Sequence, residues 1–376
     1  MKQILFFLSV LTAAFSIAQT GTQSTSSIQH DGKTREYILY VPQMYDGQTA
    51  VPLVLNLHGL GSSMNEQIIY GEFREIADTA NFILVTPNGL LNTSNQRHWN
   101  FFVTNGEDDL GFLSKLIDSI AGQYAIDEDR VYSTGMSNGG FMSYHLACEL
   151  EDKITAVASV TGTMIANQAA GCNPTKPIPT MLIHGTNDPV VPYGGNGIFL
   201  PVDDVLNHWI GIAGADETPI MTPVPDIDNT DGCTAEHYLY ANGTNGATVE
   251  HYKIIGGGHS WPGALVDVDV TNHDFDASIE IWRFFRQYNS ADLLSIADEN
   301  KIDNTLKIYP NPSTGAIQIE TDQKVDKIDV VNTQGKTVAT FKNIQKSLEI
   351  SNLNNGVYFV KIHSEEKVVT KKVIVQ

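Results

Sequence analysis

The sequence predicts an α/β fold, a mostly parallel sheet covered by helices on both faces, followed by a small all-β sandwich. Three observations carry this. Short apolar runs alternate with amphipathic stretches from about Glu36 to Tyr288. Several runs are apolar throughout, as strands buried on both faces must be. Beyond a polar stretch near residue 300, the pattern changes to short alternating segments rich in Val, Ile, Thr and Tyr.

Taken in order, "EYILYVP" and "VPLVLNLHG" read as strands, and "NEQIIYGEFREIADTA" has helical spacing. "FILVTPNG" is again strand-like, "DLGFLSKLIDSIAGQYA" helical, "RVYSTG" a strand and "GGFMSYHLACEL" a helix. "ITAVASVTG" and "PTMLIHG" are continuous apolar strands, and "VEHYKIIGGGHSWPG" ends an alternating strand with three glycines. "VLNHWIGIA" and "DASIEIWRFFRQY" are helices. After Leu306, the signals Asn-Pro, Thr-Gly, Gln-Gly and Asn-Gly separate short strands.

The 376 residues, 42% hydrophobic and 18% charged, describe a folded chain of about two domains. A net charge of -20 argues against a nucleic-acid partner. The charge is uneven: 11 basic and 8 acidic residues lie from Lys301 onward, leaving 12 and 35 before it. The N-terminus, "MKQILFFLSVLTAAFSIAQT", has one Lys, an apolar stretch and small residues before Gln19, the pattern of a secretory signal peptide. These features give expected boundaries: signal peptide 1–18, α/β domain 19–289, linker 290–304 and β-sandwich 305–376. Export permits disulfides. Of the three cysteines, Cys148 and Cys172 are the preferred pair because they flank one strand-like segment, which leaves Cys233 over.

Chemistry centres on "STGMSNGGF", where Gly135, Ser137 and Gly139 fit G-x-S-x-G after a strand and before a helix. A sharp strand-to-helix turn exposes its corner side chain, and small residues on either side let the two elements approach. Ser137 is the candidate nucleophile. A serine hydroxyl needs a base, and the base an orienting acid, in the chain order Ser, acid, His. Asp188 follows the buried strand "PTMLIHG", and His259 follows a strand and three glycines, so these are the expected acid and base. His58, His145 and His184 lie on core elements, and His251 within a strand. Oxyanion donors are expected at the N–H groups of Asn138 and of Leu60 in "HGLG". Trp261, two residues from His259, and Trp99 are candidates for an aromatic substrate-binding wall. "EDDLGF" reads as a helix cap through Asp108 or Asp109, and "DIDNTDG" as a solvated turn. No metal and no cofactor is expected.

Together "LHGLGSS", "HWNFF…EDDLGFL", "YSTGMSNGGFMSYHLACEL", "AVASVTGT", "CNPTKPIPTMLIHGTNDPVVPYGG" and "GGGHSWPG" resemble the polyhydroxybutyrate depolymerase and feruloyl esterase family, over roughly Thr34 to Tyr288. The resemblance implies an α/β-hydrolase fold and a metal-free serine esterase. It places the family's nucleophile, acid and base on Ser137, Asp188 and His259, and it supports the Cys148–Cys172 pairing. The expected substrates are feruloyl or acetyl esters of plant polysaccharide, with a polyester as the alternative. A non-catalytic cell-surface binding protein is the rival of another class. The tail, with "YPNPSTG", "NTQGK", "GVYFVKI" and "KKVIVQ", resembles the C-terminal sorting domain of the type IX secretion system. It implies secretion, with that machinery as a partner and an extracellular or cell-surface location.

Overall fold

The computed structural model describes residues 21–101, 106–294, 306–321, 325–332, 336–344, 346–351, 353–364 and 367–375. The expected signal peptide and residues 295–304 of the expected linker lie outside them. The chain divides into two compact units, Met1–Leu294 and Ser295–Gln376.

The first unit is built on a ten-stranded sheet. Its spatial order is β1 (Thr22–His30), β2 (Lys33–Val41), β4 (Ile83–Pro87), β3 (Val51–Leu57), β7 (Ile126–Met136), β8 (Ala156–Val160), β9 (Thr180–Gly185), β12 (Val249–Ile255), β11 (Thr234–Tyr240) and β10 (Ile220–Pro223). The run from β4 to β12 is parallel, and the outer strands on each side pair antiparallel. Every residue of β3, β4, β8 and β9 is buried, so the centre of the sheet is covered on both faces. A separate hairpin joins β5 (Leu90–Leu91) to β6 (Arg97–His98).

Three of the longer helices are amphipathic and have sequence-encoded ends. α3 (Asp109–Ala121) starts at Asp108, whose carboxylate accepts the Gly111 N–H at 2.9 Å. α6 (Val202–Ala213) buries Val202, Val205, Leu206, Trp209 and Ile210, and ends at Gly214 with φ +63°. α7 (Ala277–Phe285) is capped by Asp276, which accepts from Ser278 and Ile279. The remaining helices are α4 (Asn138–Glu149), the short α5 (Ala166–Gly171) and α8 (Ser290–Leu294). Residues 290–294, expected to begin a linker, are thus helical.

The single helix expected over residues 65–80 is two, α1 (Met64–Tyr70) and α2 (Arg74–Ala80). The break falls at Gly71, where an added Cβ would lie 2.6 Å from the Gln67 side chain. The edge strands β1 and β10 are largely exposed; β1 carries little apolar signal, and β10, Ile220–Pro223, is too short to show a period.

The second unit has two antiparallel sheets. One is β13 (Leu306–Tyr309), β14 (Ile317–Thr321) and β17 (Ser347–Ile350); the other is β16 (Thr337–Ile344), β15 (Val325–Asn332), β18 (Gly356–Ser364) and β19 (Lys367–Val375). Ile317, Ile319 and Ile350 of the first share one core with Val325, Ile328, Val360 and Val373 of the second. This is a small sandwich.

Candidate active site

Because β3, β7, β9 and β12 all lie in the parallel run, their carboxyl ends open on one edge of the sheet. In such sheets functional groups collect at that edge. Residues 58–62 follow β3, Ser137 follows β7, Asp188 lies just beyond β9, and His259 beyond β12.

Ser137 has φ +53° and ψ −118°, a conformation that L-residues rarely adopt. The turn is held on both sides, since its N–H donates to Val160 O at 2.8 Å and its carbonyl accepts the Phe141 N–H at 3.0 Å. The flanking glycines are required by close approach. A Cβ on Gly135 would lie 2.5 Å from Leu57 O, and one on Gly139 would collide with the same carbonyl. Ser137 itself is only partly buried, so its hydroxyl is presented where the strand turns into α4.

Asp188 is 4% exposed, and its Oδ1 accepts the N–H groups of Val190 and Val191, both at 2.8 Å. Its Oδ2 stands 2.7 Å from His259 Nδ1. His184 Nε2 lies 3.4 Å from the same oxygen and 2.8 Å from Val191 O, and burial holds the His184 pKa below its ordinary value. The glycines of the β12 loop make the meeting possible. A Cβ on Gly185 would collide with Gly257, and one on Gly258 with Asp269. Asp269 accepts the His259 N–H at 2.9 Å, and this bond, with that from Val270, holds its carboxyl pKa low.

The loop after β3 packs against the serine, with an added Gly59 Cβ falling 3.5 Å from Ser137 Cβ. His58 fixes this loop. It donates through Nδ1 to Gly59 O at 2.7 Å and accepts the Gly89 N–H at Nε2, 2.9 Å. Burial lowers its pKa to about 4, so the ring is neutral, as both bonds require. Gly61 N donates to Arg97 O at 2.8 Å. Among the described residues, the N–H groups of Leu60 and Asn138 have no acceptor, the condition for a pair that can receive a developing oxyanion.

Ser137 and His259 line one cavity of about 490 Å³. Its walls are Leu60, Ile69, Met136, Val266 and Val268, with a polar side formed by Ser62, Glu66 and Tyr70. Trp99 and Trp261, the expected aromatic wall, are elsewhere: each is 1% exposed, and neither borders the cavity. Trp261 packs edge-on to Phe73 and donates to Ser278 Oγ, while Trp99 donates to His58 O at 2.9 Å. The Asn138 side chain clamps the Trp99 backbone through both its amide atoms. Both tryptophans therefore support the loops from behind. Proximity in sequence placed them near the site but did not reveal which way the rings point.

Asp108 is the cap expected in "EDDLGF", while Asp109 is 1% exposed and pairs with Arg35 at 2.5 Å, also accepting Asn100 N–H at 2.7 Å. That buried pair ties β2 to the segment bearing Trp99. Cys148 and Cys172 form a disulfide, and Cys233 is a buried free thiol. His30, Asp31 and Asp108 offer ligand atoms within 4.8 Å of one another, but they lie outside the cavity and His30 already bonds Asp108.

Residues 105–198 match the Phospholipase/Carboxylesterase family, and residues 307–376 the Secretion system C-terminal sorting domain. A probable feruloyl esterase C of Aspergillus niger is 30% identical over 58% of this chain and 78% of its own length. One from Aspergillus terreus is 35% identical over 43% of this chain, which spans a little over half, 57%, of that relative. An acetyl xylan esterase from Aspergillus awamori shares the fold, with a TM-score of 0.51 and 14% identity over 70% of this chain and 99% of its own. The chain belongs to the carboxylic ester hydrolases of the feruloyl esterase C family and carries a C-terminal sorting domain that marks it for secretion.

Proposed function

We propose that the chain is a secreted serine esterase that releases feruloyl groups from plant polysaccharide. Ser137 attacks the ester carbonyl, and His259 Nε2 takes its proton and returns it to the alcohol leaving group. Asp188 orients the imidazole through the 2.7 Å contact at Nδ1 and stabilises the imidazolium. The Leu60 and Asn138 N–H groups receive the oxyanion. Water, activated by the same imidazole, then releases the acid and regenerates Ser137.

The observation that carries this reading is a buried carboxylate bonded to an imidazole that shares one cavity with a strained, partly exposed serine. The feruloyl choice is supported by the named relatives and by size, because an acetyl group would leave most of the 490 Å³ cavity empty. The test is labelling by a fluorophosphonate, together with turnover of methyl ferulate, acetylated xylan and amorphous polyhydroxybutyrate. Labelling at Ser137 and preference for methyl ferulate are expected. An unlabelled protein would support the binding-protein reading instead.

One observation favours a second substrate class. Leu265, Val266 and Val268 are 81%, 57% and 64% exposed, the two valines on the cavity wall itself, an aliphatic rim suited to a polyester surface. Faster turnover of polyhydroxybutyrate than of methyl ferulate would select it. The sorting domain is read as the part that engages the type IX secretion machinery. Such a tail is expected to be removed after export, so an intact Gln376 on the extracellular protein would argue against the sorting reading.

A further inference from the structure

The cavity is aliphatic except on one side, where three polar side chains follow directly from the loop that holds Leu60. Their hydrogens run in one direction. Tyr70 accepts the Gly59 N–H at 3.4 Å, and its hydroxyl lies 3.0 Å from Ser62 Oγ. Ser62 donates in turn to Glu66 Oε2 at 2.9 Å, an oxygen that also accepts from Ser63 at 3.3 Å. With Ser62's one hydrogen committed to Glu66, Tyr70 must be the donor to Ser62. Burial pushes the Tyr70 hydroxyl up to about 12, so it keeps its proton. The relay ends at Glu66, whose other oxygen, Oε1, has no partner among the described residues. One face of the cavity thus presents a braced carboxylate with an open acceptor.

We infer that Glu66, braced by Ser62 and Tyr70, is a subsite that accepts the phenolic hydroxyl of a hydroxycinnamoyl group. This deepens the esterase reading and rests on it. A flat cinnamoyl group suits walls made of Leu60, Ile69, Val266 and Val268, and a hydroxyl at its far end needs an acceptor rather than another aliphatic side chain. The sugar alcohol is polar throughout and is better hydrated at the open mouth. A phenol O–H donating to a carboxylate is a charge-assisted hydrogen bond. Loss of such a bond at a partly solvated site corresponds to about tenfold in kcat/KM.

The test compares methyl p-coumarate, methyl cinnamate (no hydroxyl) and methyl 4-methoxycinnamate (hydroxyl blocked). The wild-type protein should prefer p-coumarate to both others by about tenfold. In Glu66→Ala the preference should fall to within about twofold of unity, and Ser62→Ala should lower it part of the way. Equal rates on all three esters with the wild-type protein overturn the inference without needing a folded variant, and so does a preference that survives Glu66→Ala. If the variants instead lose discrimination between methyl ferulate and a feruloylated arabinose, leaving the phenol preference intact, Glu66 reads the sugar and the inference is wrong. Turnover of acetylated xylan with none of any cinnamate overturns this subsite but leaves the Ser137 assignment standing. Absence of fluorophosphonate labelling overturns both.

Discussion

His259 Nδ1 stands 2.7 Å from Asp188 Oδ2, although 71 residues separate them in the chain. The contact exists because β9 and β12 are adjacent parallel strands whose loops leave the sheet at the same edge. Asp188→Asn keeps the shape but presents an amide where the imidazole needs an acceptor. Its kcat should fall by about 10⁴-fold with the fold unchanged by circular dichroism. A loss under tenfold would remove Asp188 from the proposed mechanism.

Ser137 holds a backbone conformation natural only to glycine. Ser137→Gly should therefore raise the stability of the fold by about 1 kcal/mol, read from urea denaturation. The same change should lower kcat by at least about 10⁴-fold. A variant that is both inactive and less stable would show that the turn is not strained.

Arg35 and Asp109 are buried together, and Arg35 also lies 3.8 Å over the Phe112 ring. Burial pushes the Asp109 carboxyl above its ordinary range, with the Arg35 charge pulling it back down. Arg35→Ala leaves that carboxyl without its counter-ion and should cost about 3–5 kcal/mol. Replacing both residues by Leu should recover most of the loss. Equal destabilisation of the single and double variants would argue that the pair is not the source.

Acid should weaken the fold in a defined window. Burial depresses the pKa of His58 from 6.5 to about 4 and that of His251 to about 3. Both rings are neutral in the folded chain but take protons more readily when it unfolds. Their contribution is complete above about pH 6.5 and is lost as pH falls toward about 4 for His58, where it amounts to about 3 kcal/mol, and toward about 3 for His251. Urea midpoints should hold from pH 7.5 to about 6.5 and then fall steadily to pH 4.5. A constant midpoint across that range would contradict the burial of these rings.

The parallel core and the positions of Ser137, Asp188 and His259 were legible in the sequence for one reason: each residue follows a segment that reads as a strand, with glycines close by in the chain. Those glycines record backbone approaches, Gly139 to Leu57 and Gly185 to Gly257, that no other residue fits. The edge strands were not legible, since β1 is polar along nearly its whole length and β10 has only four residues. Nor was the polar side of the cavity. Ser62 lies in the loop after β3, and Glu66 and Tyr70 in an ordinary-looking helical stretch whose sequence does not show that this side lines the cavity. The tryptophans misled because a buried indole and a site-lining one leave the same mark in a sequence.

With Cys148 and Cys172 joined, Cys233 is left as a single thiol, 7% exposed and pushed up to about 12 by burial. It is poorly ionised and out of reach of reagents while the sheet holds together. Any opening of the loop between β10 and β11 releases it. The chain therefore carries its own sentinel: the rate at which a maleimide labels Cys233 clocks the breathing of this edge of the molecule, with no engineered reporter required.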